Sequence, residues 1–442
     1  MKLYSTRNPK HEVDLEEAVR KGLPPDNGLY MPREIHQLPA SFLESLSKKT
    51  FPEIALSVAR ALLGDSIPEP DLKTIVDRSI TFPAPLVRLE DNLFVLELFH
   101  GPSLAFKDFG ARFMAQLLRY FNRDQPQDLF ILVATSGDTG GAVASGFLQT
   151  PGIRVIILYP SGKVSPLQEK QLTALGHNIT ALEIDGSFDD CQALVKQAFL
   201  DKTLNEKLNL SSANSINIAR LIPQAFYYFE ALKQLPPSSP GISTVFCVPS
   251  GNFGNLTACL LARKAGLPVD HILAATNVND IVPAYLRDGQ FRPRPSKRTL
   301  SNAMDVGNPS NFDRMVHIFQ GNGDGSTWNN MRKMLSGYAF SDQETRQAMR
   351  EAKTRYDYTL DPHGAVGYLA AKAYLVDHPD ARVIVLETAH PAKFLEEVET
   401  TLQTVVAVPE RLARLTRAAK SAIPLPAEYG AFRAWLLGQM NG

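Results

Sequence analysis

The sequence predicts an α/β fold in at least two domains, preceded by a mainly helical segment, on three observations. From about residue 92, short β-branched apolar runs alternate with helix-length stretches, the pattern of strands and helices laid down in turn. Several runs, among them RVIILY at 154–159 and RVIVLE at 382–387, are almost wholly apolar, as strands buried on both faces of a parallel sheet require. The 442 residues also exceed the roughly 250–300 that a single core sustains.

The first ~90 residues lack this alternation and read as mainly helical, with loops at LPPDNG and FPAP. Strands are predicted at Asn92–Phe99, Leu129–Ala134, Arg154–Tyr159, Ile179–Ile184, Thr244–Val248, His271–Thr276 and Arg382–Leu386. Helices are predicted between them, for example over Phe109–Tyr120, Ser165–Ala174 and Asp189–Phe199. Pro, Ser and Gly cluster in LPPSSPG at 235–241, which reads as a linker. The chain therefore divides into an N-terminal segment (1–90), a smaller α/β domain (91–235) and a larger one (236–442). Residues 289–330, with RPRPSK and QGNGDGS, read as largely irregular, and long loops of this kind often serve a site.

Composition excludes several function classes. Forty-six basic residues balance 46 acidic ones, so the excess positive charge of a nucleic-acid or membrane-surface binder is missing. The three cysteines, Cys191, Cys247 and Cys259, fit no zinc spacing and read as buried thiols in a reducing compartment. The N-terminus is charged and lacks the apolar core of a signal peptide, and no apolar run reaches the ~20 residues that span a bilayer. A cytoplasmic protein with no metal and no obligate protein partner is expected.

Five constellations carry possible chemistry. Ser250-Gly251-Asn252-Phe253-Gly254-Asn255 follows the strand TVFCVP and opens a helix. Its glycines let the backbone turn tightly and aim N–H groups at one point, which suits a phosphate; a plain strand-to-helix turn is the alternative. Thr135-Ser136-Gly137-Asp138-Thr139-Gly140-Gly141 also links strand to helix, and its hydroxyls converge on the helix N-terminus, a receptor for a carboxylate or phosphate. Lys107, in ELFHGPSLAFKDFG, is flanked by apolar residues. Partial burial would make its amine nucleophilic, although a lysine read alone is more often a solvated surface charge. SSANSINIAR, at 211–220, is rich in donors and ends in Arg220, whose planar fork matches phosphate oxygens; a capped helix start with a surface arginine fits equally well. Finally, Thr388 and His390 lie at the end of the strand RVIVLE, where ligands of open α/β sheets bind; His390, like His363, reads more readily as structural.

Together these segments, with MKLYSTR, GLPPDNGLYMP, YPSGKVSPLQEKQ, AATNVND, NAMDVGNPSN and LETAHPAKF, resemble the threonine synthase family, in the variant found in Gram-negative bacteria and fungi. The family belongs to the tryptophan-synthase-β-like group of pyridoxal-phosphate enzymes, and the resemblance covers most of the chain. It implies fold type II, two open twisted sheets with flanking helices. It implies pyridoxal 5'-phosphate as cofactor, Lys107 as its Schiff-base lysine and as proton shuttle, and Ser250 to Asn255 as the cup for its phosphate. It places Thr388 at the pyridine nitrogen. Asp138 stands where relatives outside the family carry an asparagine that contacts the phenolic oxygen. The substrate O-phospho-L-homoserine would be held by Thr135, Ser136 and Thr139 at its amino-acid end, and by Ser215, Asn217 and Arg220 at its phosphate, with Ser103 and Asn214 also in contact. The reaction implied is a β,γ-replacement by water that releases L-threonine. A phospho-lyase releasing 2-oxobutyrate, or a non-catalytic binding protein on the same fold, would share these motifs.

Overall fold

The alternating region builds two separate sheets, and a small third sheet forms in the N-terminal segment. A computed structural model describes residues 1–135, 137–214, 216–237, 241–320 and 326–439, with the side chains of 138 and 416 left out. In the N-terminal segment, β1 (Leu3–Ser5), β2 (Glu12–Val13) and β3 (Tyr30–Pro32) pair antiparallel in the order β2-β1-β3. The mainly helical expectation is corrected to this extent: strands of two or three residues are too short to show a period of two. Helices do dominate the remainder. Phe51–Leu63 opens with a reciprocal Thr50–Glu53 capping box and ends at Gly64, whose φ of +55° suits glycine. Its buried face (Ile54, Ala55, Val58, Ala59, Leu62) follows the helical period and joins the main core.

The strands that follow are β4 (Leu86–Arg88), β5 (Leu93–Glu97), β6 (Leu129–Ala134), β7 (Ile153–Pro160), β8 (Ile179–Asp185), β9 (Asn209–Ser212), β10 (Thr244–Pro249), β11 (His271–Thr276), β12 (Leu335–Ala339), β13 (Arg382–Glu387) and β14 (Ile423–Pro426). A six-stranded sheet has the order β12-β11-β10-β13-β5-β4, parallel except for its edge strand β4. A five-stranded parallel sheet has the order β14-β8-β7-β6-β9. Two open α/β sheets with flanking helices are thus present, as expected. All seven predicted strands exist, with ends shifted by no more than two residues.

The linear division into domains does not match the pairing. A boundary at residue 91 puts strand β5 with the smaller domain, yet it lies between β13 and β4 in the larger sheet, with Leu93 opposite Val383. Its apolar run LFVLE needs cover on both faces, and an interior strand position supplies it. In the other direction, β14 leaves the C-terminal region to pair with β8. Pro424 and Pro426, which cannot donate to a ladder, are tolerated there because β14 is an edge. Residues 289–330 are also less irregular than expected, since Phe312–Phe319 is helical. Three residues of the expected linker, 238–240, lie outside the described residues.

Candidate active site

The carboxyl ends of β6, β7, β10 and β13 face one cavity of about 870 Å³, the place where open α/β sheets bind ligands. Its wall takes Thr139 from after β6, Gly162 to Ser165 from after β7, Pro249 to Asn255 from β10 and the turn after it, and Thr388 and Ala389 from after β13. Phe106, Lys107 and Arg220 complete the polar floor with Gln168, Gln224 and His363.

Lys107 is the first residue of the helix Lys107–Asn122. The chain before it is pinned to the segment after β13: Phe106 N–H donates to Thr388 O at 2.9 Å, and His390 N–H donates to Leu104 O at 3.0 Å. This pairing brings Lys107 and Thr388 to one wall although 281 positions separate them in sequence. Leu104 holds φ +61°, a left-handed conformation costly for a leucine and maintained here by complete burial and by that pairing. Beneath Lys107 the buried Asp108 accepts from Ser103 N–H at 2.8 Å, and burial pushes its carboxyl up to about 6.

The loop after β10 is fixed from behind. A Cβ at Gly251 would sit 2.6 Å from Ala303 O and 2.9 Å from Met304 Cα, so backbone packs where any side chain would stand. Asn252 accepts through Oδ1 from Ser310 and through its carbonyl from Asn311 Nδ2 at 3.0 Å. Phe253 turns the chain with φ +58° and gives the helix Gly254–Lys264 no side-chain cap, which leaves its first-turn N–H groups to a ligand. Asn255 Oδ1 accepts from Tyr227 at 2.5 Å and Tyr228 at 2.7 Å; its buried Nδ2 has no partner. Arg220, also buried, donates from Nη1 to Ala213 O at 2.5 Å, while its Nε has none. Burial pushes the Arg220 guanidinium down to about 10. An unsatisfied buried donor costs ~1–3 kcal/mol, more if charged; Asn255 brings one to the cavity wall, and Arg220 brings a buried guanidinium whose Nε packs beside Gly110. A phosphate cup at Ser250–Asn255 fits pyridoxal phosphate on these grounds.

A buried acid pair lies behind Thr388. Glu387 Oε1 accepts from Asp361 N–H at 2.7 Å, and burial together with Asp361 pushes the Glu387 carboxyl well up. Against the opposing effect of burial, His363 holds Asp361 below the usual carboxylate range, with Nδ1 at 2.5 Å from its Oδ1. On the other side of the ring, His363 Nε2 lies 3.2 Å from Ala303 N–H, which fixes the ring with Nδ1 toward Asp361.

The comparisons with known proteins decide the family. The chain matches a pyridoxal-phosphate-dependent enzyme model over residues 79–388, a threonine synthase N-terminus model over 2–80 and a threonine synthase C-terminal model over 364–435. The threonine synthase of Escherichia coli is 46% identical over 437 residues, 99% of each chain. The chain belongs to the threonine synthase family. Two solved threonine synthases share its fold: the pyridoxal-phosphate-bound one from Brucella melitensis, with TM-score 0.93 and 35% identity over 100% of both chains, and the yeast one, with TM-score 0.91 and 33% identity over 100% of this chain and 98% of that one. As a threonine synthase the protein is a pyridoxal-phosphate-dependent lyase.

Within this threonine synthase the cavity gathers Lys107, Thr139, Arg220, Thr388 and all of Ser250 to Asn255. Four residues expected at the substrate do not line it. Thr135 Oγ1 accepts from Gly137 N–H at 3.0 Å and Gly140 N–H at 2.9 Å, so it shapes the loop instead of facing the cavity. Asn217 is fully buried as the cap of the helix Ile218–Leu221, accepting from Ala219 N–H and donating to Val19 O at 2.9 Å. Ser103 is buried beside Asp108, and Asn214 precedes the cap. Ser136, Ser215 and the side chain of Asp138 lie outside the described residues. Sequence reasoning missed Lys163, Gln168, Gln224 and Arg298 as wall residues. Gly162-Lys163 had a signal, since it directly follows a parallel strand; Arg298 had none beyond its place in a long loop.

Proposed function

We propose that this threonine synthase converts O-phospho-L-homoserine and water to L-threonine and phosphate, using the cavity residues as follows. One observation carries the reading: the buried Arg220 shares a cavity with Lys107 and with a separate phosphate cup at Ser250–Asn255. Two anion sites beside one amine match a phosphorylated cofactor and a phosphorylated substrate. Pyridoxal phosphate, when bound, supplies the electron sink for negative charge developing at the substrate's α-carbon.

The chain's own groups do the rest. Lys107 Nζ would anchor the cofactor, and its amine is the group that takes and returns the proton at the substrate's Cα. The Asn255 amide and the first-turn N–H groups of Gly254–Lys264 hold the cofactor phosphate. Thr388, a neutral hydroxyl on the cavity wall, would stand at the ring nitrogen and would not require it to be protonated. Thr139 orients the amino-acid end of the substrate. Arg220 neutralises the phosphate as it leaves Cγ, charge stabilisation that grows toward the transition state. The two sheets that supply opposite walls close on the substrate and keep water from Cα until Cβ is ready.

No helix among the described residues is long and apolar enough to cross a membrane, and all three cysteines are buried and free. A cytoplasmic setting belongs to this proposal. The deciding experiment incubates purified protein with O-phospho-L-homoserine and identifies the organic product. L-threonine with stoichiometric phosphate is expected. Accumulation of 2-oxobutyrate without threonine would overturn the assignment. Borohydride reduction should place the cofactor on Lys107, and Lys107→Ala should lower turnover by at least ~10³-fold, within the range of an acid–base group that also anchors the cofactor.

A further inference from the structure

Arg314 is completely buried in the helix Phe312–Phe319, away from the cavity wall. Its guanidinium reaches three segments of the chain. Nε and Nη2 donate to Tyr30 O in β3 at 3.1 and 3.0 Å. Nη2 also donates to Ile216 O at 2.7 Å, two residues before the helix that carries Arg220. Nη1 donates to Asn311 Oδ1 at 2.7 Å, and Asn311 donates in turn to Asn252 O, at 3.0 Å from its side chain and 3.3 Å from its backbone. Burial disfavours the Arg314 charge, the neighbouring Asp313 carboxylate favours it, and the groups it hydrogen-bonds are carbonyl oxygens. A buried cation is costly, and carbonyl oxygens offset that cost only when the geometry is fixed. The planar fork of arginine is what lets one side chain serve three directions at once.

We propose that Arg314 is a positioning residue that sets the cofactor-phosphate loop and the Arg220 helix in register, using β3 of the N-terminal sheet as its third anchor. The N-terminal segment thereby becomes part of the active-site frame without touching the cavity through this contact. The inference rests on the roles given above to Ser250–Asn255 and Arg220. Its sharpest feature is a branching of effects. Arg314→Lys keeps the charge but cannot span three acceptors, so it loosens both anion sites. Asn311→Ser cuts only the branch to Asn252, so it loosens the cofactor loop alone.

The test uses holoenzyme and two readouts. Cofactor retention is followed by the loss of its visible absorbance on dilution. The substrate-anion site is followed by competitive inhibition with inorganic phosphate. Arg314→Lys should weaken both about tenfold, the scale of one charge-assisted hydrogen bond. Asn311→Ser should weaken cofactor retention by a similar factor and leave the phosphate inhibition constant within twofold. Arg220→Ala serves as the control. If it leaves phosphate inhibition unchanged, the assignment of Arg220 fails; if it weakens inhibition while folded Arg314→Lys alters neither readout, the inference on Arg314 alone is overturned. A lower melting temperature with both readouts intact would equally reduce Arg314 to a packing role. Should Arg314→Lys fail to fold, an unchanged cofactor retention in Asn311→Ser overturns the proposal, and a selective loss supports it.

Discussion

The two glycine-rich loops facing the cavity share a local plan and are held in opposite ways. Each follows an apolar parallel strand and opens a helix that its own N-cap residue does not cap. The loop after β10 has main chain at its back: Gly251 lies against the backbone of Ala303 and Met304, and the Asn252 carbonyl accepts from both the backbone and the side chain of Asn311. The loop after β6 is fixed by side chains: Thr135 holds two of its N–H groups, and the end of Gln168 fills the space beside Gly137. Backbone cannot rotate aside, whereas a glutamine can. On the roles proposed for them, the first loop is preset for a resident phosphate, and the second can adjust as a substrate enters and a product leaves.

Three substitutions break or sharpen this contrast. Gly251→Ala has the largest expected effect. Its Cβ meets two backbone atoms inside 3.0 Å, and an overpacked site of this kind costs up to ~3 kcal/mol, about 100-fold in cofactor affinity. An affinity within threefold of the parent's would show that the cup yields after all. Next, Asn255→Ala removes the donor aimed at the phosphate and the acceptor of the Tyr227 hydroxyl, about 2 kcal/mol or some 30-fold in cofactor affinity. Asn255→Asp restores the acceptor alone; if it rescued binding, the loss would belong to the tyrosines and not to the phosphate. Gly137→Ala should be mildest, about tenfold in KM with cofactor affinity unchanged. It forces alanine into φ +139° and places its Cβ 2.5 Å from Gln168 Cδ. Adding Gln168→Ala should recover part of that loss, and no recovery would mean that the backbone strain accounts for all of it.

Legibility in the sequence followed the same divide between local and distant causes. Strands such as β7 and β13 announce themselves because burial on both faces demands unbroken apolar runs. Strands β9 (NLSS), β12 (LSGYA) and β14 (IPLP) are polar, glycine-bearing or proline-bearing, and exist because a neighbouring strand offers its edge. In the site, the glycine loops were legible because a turn between strand and helix has local rules. Thr135 and Asn217 carried the right chemistry at the right spacing, but their polar atoms satisfy nearby backbone instead. Gln224 and Arg298 reach the same cavity from positions 74 residues apart, and nothing in their own neighbourhoods records it. Lys107 lay between these cases: an ambiguous lysine until the pairing of Leu104–Phe106 with Thr388–His390 carries it to the wall.

Strand β14 bears on how the molecule is made. A ribosome must deliver every strand of the six-stranded sheet before residues 423–426 emerge to cover the outer side of β8. Until then the nascent smaller sheet displays an unprotected row of backbone donors and acceptors, a template on which another chain can add. The smaller sheet, most of whose strands are made before the larger one's, is therefore the one completed last. The last lock on the earlier-synthesised half is forged from the later one, and translation beyond the catalytic segments is what seals them.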